Sequence, residues 1–150
     1  PLSIARDGEY LYFHSAMEGK KVDIFKNNPY VSLAFVGNVQ VPEMYTKEEL
    51  EEISKDKSKT KLLISNVFTT EFESAIVKGK IERLENQEEK VKAMELICRK
   101  FTPSKMKYFE MAVEAGLGRA NVYRIKIENI TAKRKKYDSS GLEMKWGRQE

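Results

Sequence analysis

The stretch from Tyr10 to Gly37, Y-L-Y-F-H-S-A-M-E-G-K-K-V-D-I-F-K-N-N-P-Y-V-S-L-A-F-V-G, constrains the fold more than any other part of the chain, because its hydrophobic period changes twice. From Glu9 to His14, Leu11 and Phe13 fall on one face and Tyr10, Tyr12 and His14 on the other, the alternation of a half-buried strand. Glu18-Gly19 breaks that pattern. Lys20 to Asn28 fits a short helix, which Asn27-Asn28-Pro29 stops because the residue before a proline is pushed out of the helical region. Tyr30 to Val36 alternates again, with Val31, Leu33 and Phe35 against Ser32, Ala34 and Val36, and Gly37-Asn38 is expected to turn the chain. The junction between first strand and helix carries the only histidine, His14, beside a hydroxyl, Ser15, and two lysines, Lys20 and Lys21.

Around this stretch the rest falls into order. Pro1 to Arg6 reads as the end of a strand, and Asp7-Gly8 as a hairpin turn, since glycine accepts the positive φ such turns need. Thr46 with Glu49 three residues later forms a capping-box start for a helix to about Lys55. Lys55 to Lys61 is polar and aperiodic, an expected loop, and Leu62 to Ser65 is a short strand or a loop anchor. The segment of about 45–65 looks like an insertion between core strands. Glu71 to Leu84 is a long strand interrupted by Gly79, a mark of a bulge or a close backbone approach. Asn86 caps a helix with Glu89 at its third position. Val91, Met94, Ile97, Cys98 and Phe101 form its apolar stripe, in which Cys98 is expected to be buried. Thr102-Pro103 leads into a second helix, Ser104 to Ala115, with Gly116 as its stop, and Met94, Met106 and Met111 read as core filling. Asn121 to Lys133 is the last long strand, and Lys135 to Glu150 a polar tail. Hairpin-joined strands with helices grouped late indicate one α+β domain built on a mainly antiparallel sheet or barrel, with helices packed on the outside.

Composition narrows the chemistry. At 150 residues, 41% hydrophobic and 33% charged, the chain can bury a core without metals or disulfides. No apolar run approaches the roughly 20 residues of a membrane span, and a cytoplasmic protein is the simple expectation. One cysteine and one histidine make a cysteine/histidine metal site untenable. The net charge of +4 is mild, and the run Lys133 to Lys136 reads as a solvated strand end rather than a nucleic-acid face. No phosphate-binding glycine loop and no serine elbow occur. The carboxylate pairs Glu48-Glu49 and Glu51-Glu52 sit on a very polar segment, a solvated helix face. What remains is the junction itself. A phosphate needs several donors, and a hydroxyl, two ammonium groups and a helix start supply them within eight residues of His14. By residue type alone, a lone histidine such as His14 is more often a structural hydrogen-bonding side chain than a catalyst.

The runs Tyr12-Phe13-His14-Ser15-Ala16, Glu18-Gly19-Lys20-Lys21 and Asn27-Asn28-Pro29-Tyr30-Val31-Ser32-Leu33 resemble the FMN-binding split-barrel proteins related to pyridoxamine 5′-phosphate oxidase, and most of all their nitroimidazole-resistance branch. Val41-Pro42-Glu43, Thr69-Thr70-Glu71-Phe72, Ser74 to Lys80 and Tyr123-Arg124-Ile125 continue the match. The resemblance implies a split β-barrel and an FMN cofactor. It gives contacts to the flavin from His14 and Ser15, a phosphate grip from Lys20 and Lys21, and Ser74 near the flavin ring. It places His14 at the reaction site, with a small-molecule substrate such as a nitroaromatic compound. It implies a homodimer with the cofactor at the interface, where Trp146 or Arg148 would reach a partner's flavin. The family usually has one or two further strands before the point where this chain starts. Related split barrels bind haem or a deazaflavin, and a non-enzymatic binding or regulatory module is the remaining alternative.

Overall fold

The computed structural model describes residues 2–145, so Trp146 and Arg148 lie outside the described residues. Five strands form one antiparallel sheet: β1 (Ala5–Asp7), β2 (Tyr10–Ala16), β3 (Tyr30–Gln40), β4 (Glu71–Arg83) and β5 (Ala120–Lys135), in the order β1-β2-β5-β4-β3. The α-helices are α1 (Lys20–Asn27), α2 (Lys47–Lys55), α3 (Thr60–Leu62), α4 (Gln87–Phe101) and α5 (Phe109–Gly116). This is the α+β class expected from the sequence. Among the described residues the hydrogen bonding leaves β1 and β3 as two sheet edges and does not close the sheet into a barrel.

Contacts divide the chain into two compact units. The first holds the described residues up to Leu33 together with Val77–Ile130. Its hairpin pairs Ala5 with Tyr12 and Asp7 with Tyr10 around Gly8, whose φ of 56° suits glycine. β2 then pairs along its whole length with β5, Tyr10 opposite Lys126 and Ala16 opposite Ala120. Leu11 and Phe13 are buried as the alternation requires, whereas His14 is exposed. α4 begins at Asn86, whose side chain accepts the Glu89 N–H at 3.1 Å, and it packs against β1 and β2. Leu84, Ala93 and Val122 form a buried cluster, with Tyr12, Met94 and Leu117 packed around it. The inward residues of α4 are Ala93 and Ile97. Cys98 is only half-buried and Phe101 is exposed, so the expected stripe is displaced toward Ala93. The second expected helix is split: Pro103–Tyr108 winds as a 3₁₀ segment, α5 follows, and Met111 is exposed rather than core filling.

The second unit comprises Ala34–Ile76 with the described residues from Thr131 onward. Its α2 has the expected capping box, Thr46 accepting the Glu49 N–H at 3.2 Å while Glu49 accepts the Thr46 N–H at 2.8 Å. Three expectations are corrected here. Gly37-Asn38 does not turn the chain. β3 runs on to Gln40, with Asn38 at φ 50° and its amide donating to Glu73 at 2.6 Å, so a left-handed residue is absorbed within the strand. Lys55 to Lys61 is not a loop but a 3₁₀ turn, Lys57–Lys59, leading into α3, because Asp56 caps the Ser58 N–H at 2.9 Å. Leu62 to Ser65 is helical, within α3 and the π-type turn Leu63–Val67, and not a strand. The described part of the tail is anchored. Glu71, one of the few buried polar side chains, accepts the Tyr137 N–H at 2.8 Å and a hydrogen bond from the Gln40 amide.

Two predictions follow from these contacts. A Cβ at Gly79 would stand 2.1 Å from the Lys126 carbonyl oxygen, a backbone atom that cannot swing aside. Gly79→Ala is therefore expected to lower stability by roughly 1–3 kcal/mol, read as a lower urea midpoint. The Gln40 amide, the Tyr137 N–H and Lys136 hold the Glu71 carboxyl below its ordinary pKa. A depressed carboxylate contributes stability above its unfolded value, about 4.3, and loses it as pH falls through the folded value. Acidification below that unfolded value should lower the urea midpoint more in the wild type than in Glu71→Gln; equal losses would refute the role given to Glu71.

Candidate functional site

The strand-to-helix junction lies wholly in the first unit. An aromatic trio sets its geometry. Phe13 of β2 stacks on Tyr123 of β5 with centroids 5.1 Å apart and planes 17° apart. Phe25 of α1 meets both rings edge-on, at 6.0 Å from Phe13 and 5.3 Å from Tyr123. Edge-to-face and offset contacts of this kind are the favoured aromatic arrangements. Together with buried Val22 they seat the inner side of α1 on the sheet. Polar residues then face outward: Lys20 and Lys21 in the first turn of α1 are exposed.

The connection between strand and helix is Met17 to Gly19. Gly19 is the N-cap with φ 125° and ψ 163°, a backbone conformation L side chains rarely adopt. It offers no side chain to cap the helix, and the Val22 N–H turns back to its carbonyl at 2.8 Å. The half-buried Ser15 donates its hydroxyl to the Ala16 carbonyl at 2.9 Å. Among the described residues neither Lys20 nor Lys21 takes part in an ion pair. A hydroxyl, two unpaired ammonium groups and a helix start without a side-chain cap form a donor set suited to an oxyanion, a phosphate above all.

His14 stands opposite Val122 across β2 and β5, on the face away from Phe13. On that face Tyr12 is half-buried, and burial pushes its phenol above the usual value against the pull of the Arg124 guanidinium. Arg124 itself bridges Glu82 at 2.5 Å and Glu89 at 3.2 Å and lies 5.0 Å from the Tyr10 ring. The inner side of α1 borders a cavity of about 170 Å³ lined by Val22, Phe25, Lys26, Ile81, Arg83 and Tyr123.

One residue of this corner is not marked by any motif in the sequence. Asn121, buried at the start of β5, donates its amide to the carbonyls of Ala16 at 3.2 Å and Met17 at 3.1 Å. The only signal was a polar amide opening an alternating apolar strand, which is also what an ordinary exposed strand end looks like.

Ser74 belongs to the second unit. It is half-buried on β4 with its hydroxyl 3.5 Å from the Lys133 carbonyl. In the same unit a cleft of about 340 Å³ is lined by Asn38, Gln40, Glu71, Glu73, Lys135 and Lys136, and its amides and carboxylates are largely engaged with one another. Lys133, Arg134 and Lys136 are exposed, as a solvated strand end requires, while Lys135 is half-buried and donates to Thr69 at 2.5 Å. The acidic pairs on α2 are exposed. No cluster of metal-ligating side chains occurs among the described residues, and no described helix is long and apolar enough to cross a membrane.

Known proteins share this fold. A candidate 5-nitroimidazole antibiotic resistance protein from Bacteroides thetaiotaomicron is similar with a TM-score of 0.60 and 23% identity, over 88% of this chain and 65% of that one. A FAD and haem binding protein from Mycobacterium smegmatis gives 0.61 at 12% identity, over 87% and 56%. A flavocytochrome from Azotobacter vinelandii gives 0.59 at 10% identity, over 92% and 57%. The chain thus spans under two thirds of the length of each. No curated protein sequence matches it. A family model described as pyridoxamine 5′-phosphate oxidase matches residues 1–134, which include the whole β2–α1 junction, the aromatic trio and Asn121. By that match the chain belongs to the pyridoxamine 5′-phosphate oxidase family.

Proposed function

We propose that this chain is an FMN-binding flavoprotein, a cytoplasmic oxidoreductase acting on a small molecule such as a nitroaromatic compound. The observation that carries the reading is the β2–α1 corner, where the unpaired ammonium groups of Lys20 and Lys21 and the Ser15 hydroxyl, bonded to the neighbouring Ala16 carbonyl, lie inside the family match. In this reading the two lysines hold the flavin phosphate and the Ser15 hydroxyl turns to it. His14 borders the flavin or the substrate, and Ser74 stands near the ring. The bound flavin supplies the redox chemistry, while the chain binds and orients it. The fold-level likeness to flavin proteins of Mycobacterium smegmatis and Azotobacter vinelandii is consistent with a flavin ligand.

The proposal includes a split barrel and a homodimer with the cofactor at its interface. Edge strand β3 carries Val36 and Val39, which are 69% and 61% exposed, and Val41 follows at 63%. Exposed valines along an unpaired strand edge support cover by another chain.

An absorbance spectrum of the purified protein, before and after adding FMN, tests the cofactor. Flavin maxima retained through desalting are expected; a colourless protein that takes up no FMN would sink the reading. A Soret band in their place would move the assignment to haem, with His14 as ligand. Lys20→Ala and Lys21→Ala should each raise the FMN dissociation constant roughly two- to fivefold without moving the melting temperature, because both side chains are exposed. Unchanged affinity in the double variant would refute their role.

A further inference from the structure

Asn121 is opposite Ser15 in the β2–β5 register, on the strand that backs the corner. It is 3% exposed, and both amide hydrogens are spent on consecutive carbonyls, Ala16 and Met17. Those two residues begin the connection from Ser15 to Gly19 and Lys20. One buried side chain thus fixes the peptide path between the two halves of the corner. Its orientation is defined. The carbonyls only accept, so the amide nitrogen must face them. Arg83 only donates, and its guanidinium lies 3.5 Å from the Asn121 carbonyl oxygen.

A second consequence concerns Ser15. The Ala16 carbonyl receives the Ser15 hydroxyl at 2.9 Å as well as the Asn121 amide. For the hydroxyl to donate to an anion it must leave that carbonyl. When it does, Asn121 remains bonded to that carbonyl, so the carbonyl of Ala16, an exposed residue, keeps a protein donor. The amide therefore frees the serine to change partners.

We propose that Asn121 is a positioning residue for phosphate recognition: by holding the Ala16 and Met17 carbonyls it sets the spacing of Ser15 from the first turn of α1 and releases the Ser15 hydroxyl to the phosphate of the ligand. The assignment rests on the FMN reading of the corner. It also assigns a direction to the effect. Asn121 touches no part of the ligand, and it acts on the phosphate end rather than on the ring.

The test compares FMN with riboflavin, which carries the same ring without the phosphate, on the full chain. Asn121→Ala is the informative variant, because aspartate would repel a phosphate whatever the geometry. FMN affinity is expected to fall roughly ten- to a hundredfold while riboflavin affinity stays within about twofold of wild type, a change below ~0.5 kcal/mol. Asn121→Ser keeps one donor and should recover part of the loss, and it also serves if the alanine variant does not fold. In a Ser15→Ala background Asn121→Ala should cost FMN affinity less than it does alone. Equal loss of FMN and riboflavin affinity would mean that Asn121 merely supports the fold, and overturns the assignment. So does unchanged FMN affinity in the folded alanine or serine variant. If the wild type binds neither flavin, the FMN reading fails and this assignment falls with it, so the two failures are told apart by the wild-type measurement.

Discussion

The stack of Phe13 on Tyr123, closed at its edge by Phe25, is the contact on which the first unit depends. It joins a strand, its antiparallel neighbour and the short helix that leaves the first strand. α1 has eight residues and a polar outer side, too few to persist as an isolated helix. Tertiary packing has to hold it, and the trio with Val22 supplies most of the apolar surface available for that. Because Phe13 points to one face, strand alternation sends His14 to the other, where Tyr12 packs on the buried Val122 and His14, near the end of the strand, is exposed.

Polar satisfaction completes what the rings begin. Each unit has one well-buried polar side chain among the described residues, Asn121 in the first and Glu71 in the second. Both perform the same task with opposite chemistry. Asn121 donates to backbone carbonyls at the end of β2, and Glu71 accepts a backbone N–H just past the end of β5. A chain leaving a sheet has unpaired peptide groups, and burying them unpartnered would cost more than a single side chain costs to order. The amide is indifferent to pH. The carboxylate is not, so the acid sensitivity of these two anchors differs although their roles match.

Much of this was legible in the sequence, for identifiable reasons. The faces of β2, the hairpin at Gly8, the caps at Thr46 and Asn86 and the close approach at Gly79 all rest on local rules: alternation, capping chemistry and steric exclusion. The failures rest on interactions that local rules do not contain. Asn38 reads as a turn residue, yet its amide finds Glu73, far along the chain, and the strand continues. Residues 57–67 have no apolar period, yet successive caps and turns wind them helically. Cys98 fits a helical stripe, but the residues of α4 that are fully buried are Ala93 and Ile97. Of the candidate site, Ser15, Lys20 and Lys21 were visible as residue types, whereas Asn121 was not, because what distinguishes it is burial against two carbonyls.

The exposure of the corner limits what it can do alone. An exposed ion pair contributes about 0–1 kcal/mol, and a hydrogen bond to a charged group about 1.5–3 kcal/mol. Two lysines and one hydroxyl then reach little beyond the roughly 4 kcal/mol that corresponds to a millimolar dissociation constant. A corner of this kind selects a phosphate end but does not retain a cofactor through dilution. Tight binding in the proposed function therefore requires apolar surface for an aromatic ring, worth roughly 25 cal/mol per Å² removed from water. The first unit spends its own aromatic residues Phe13, Phe25 and Tyr123 on each other, so the ring has to be covered by other surfaces. In the proposed function, then, affinity for the ring and selection of the phosphate end come from different surfaces, and changes at the corner act on the second alone.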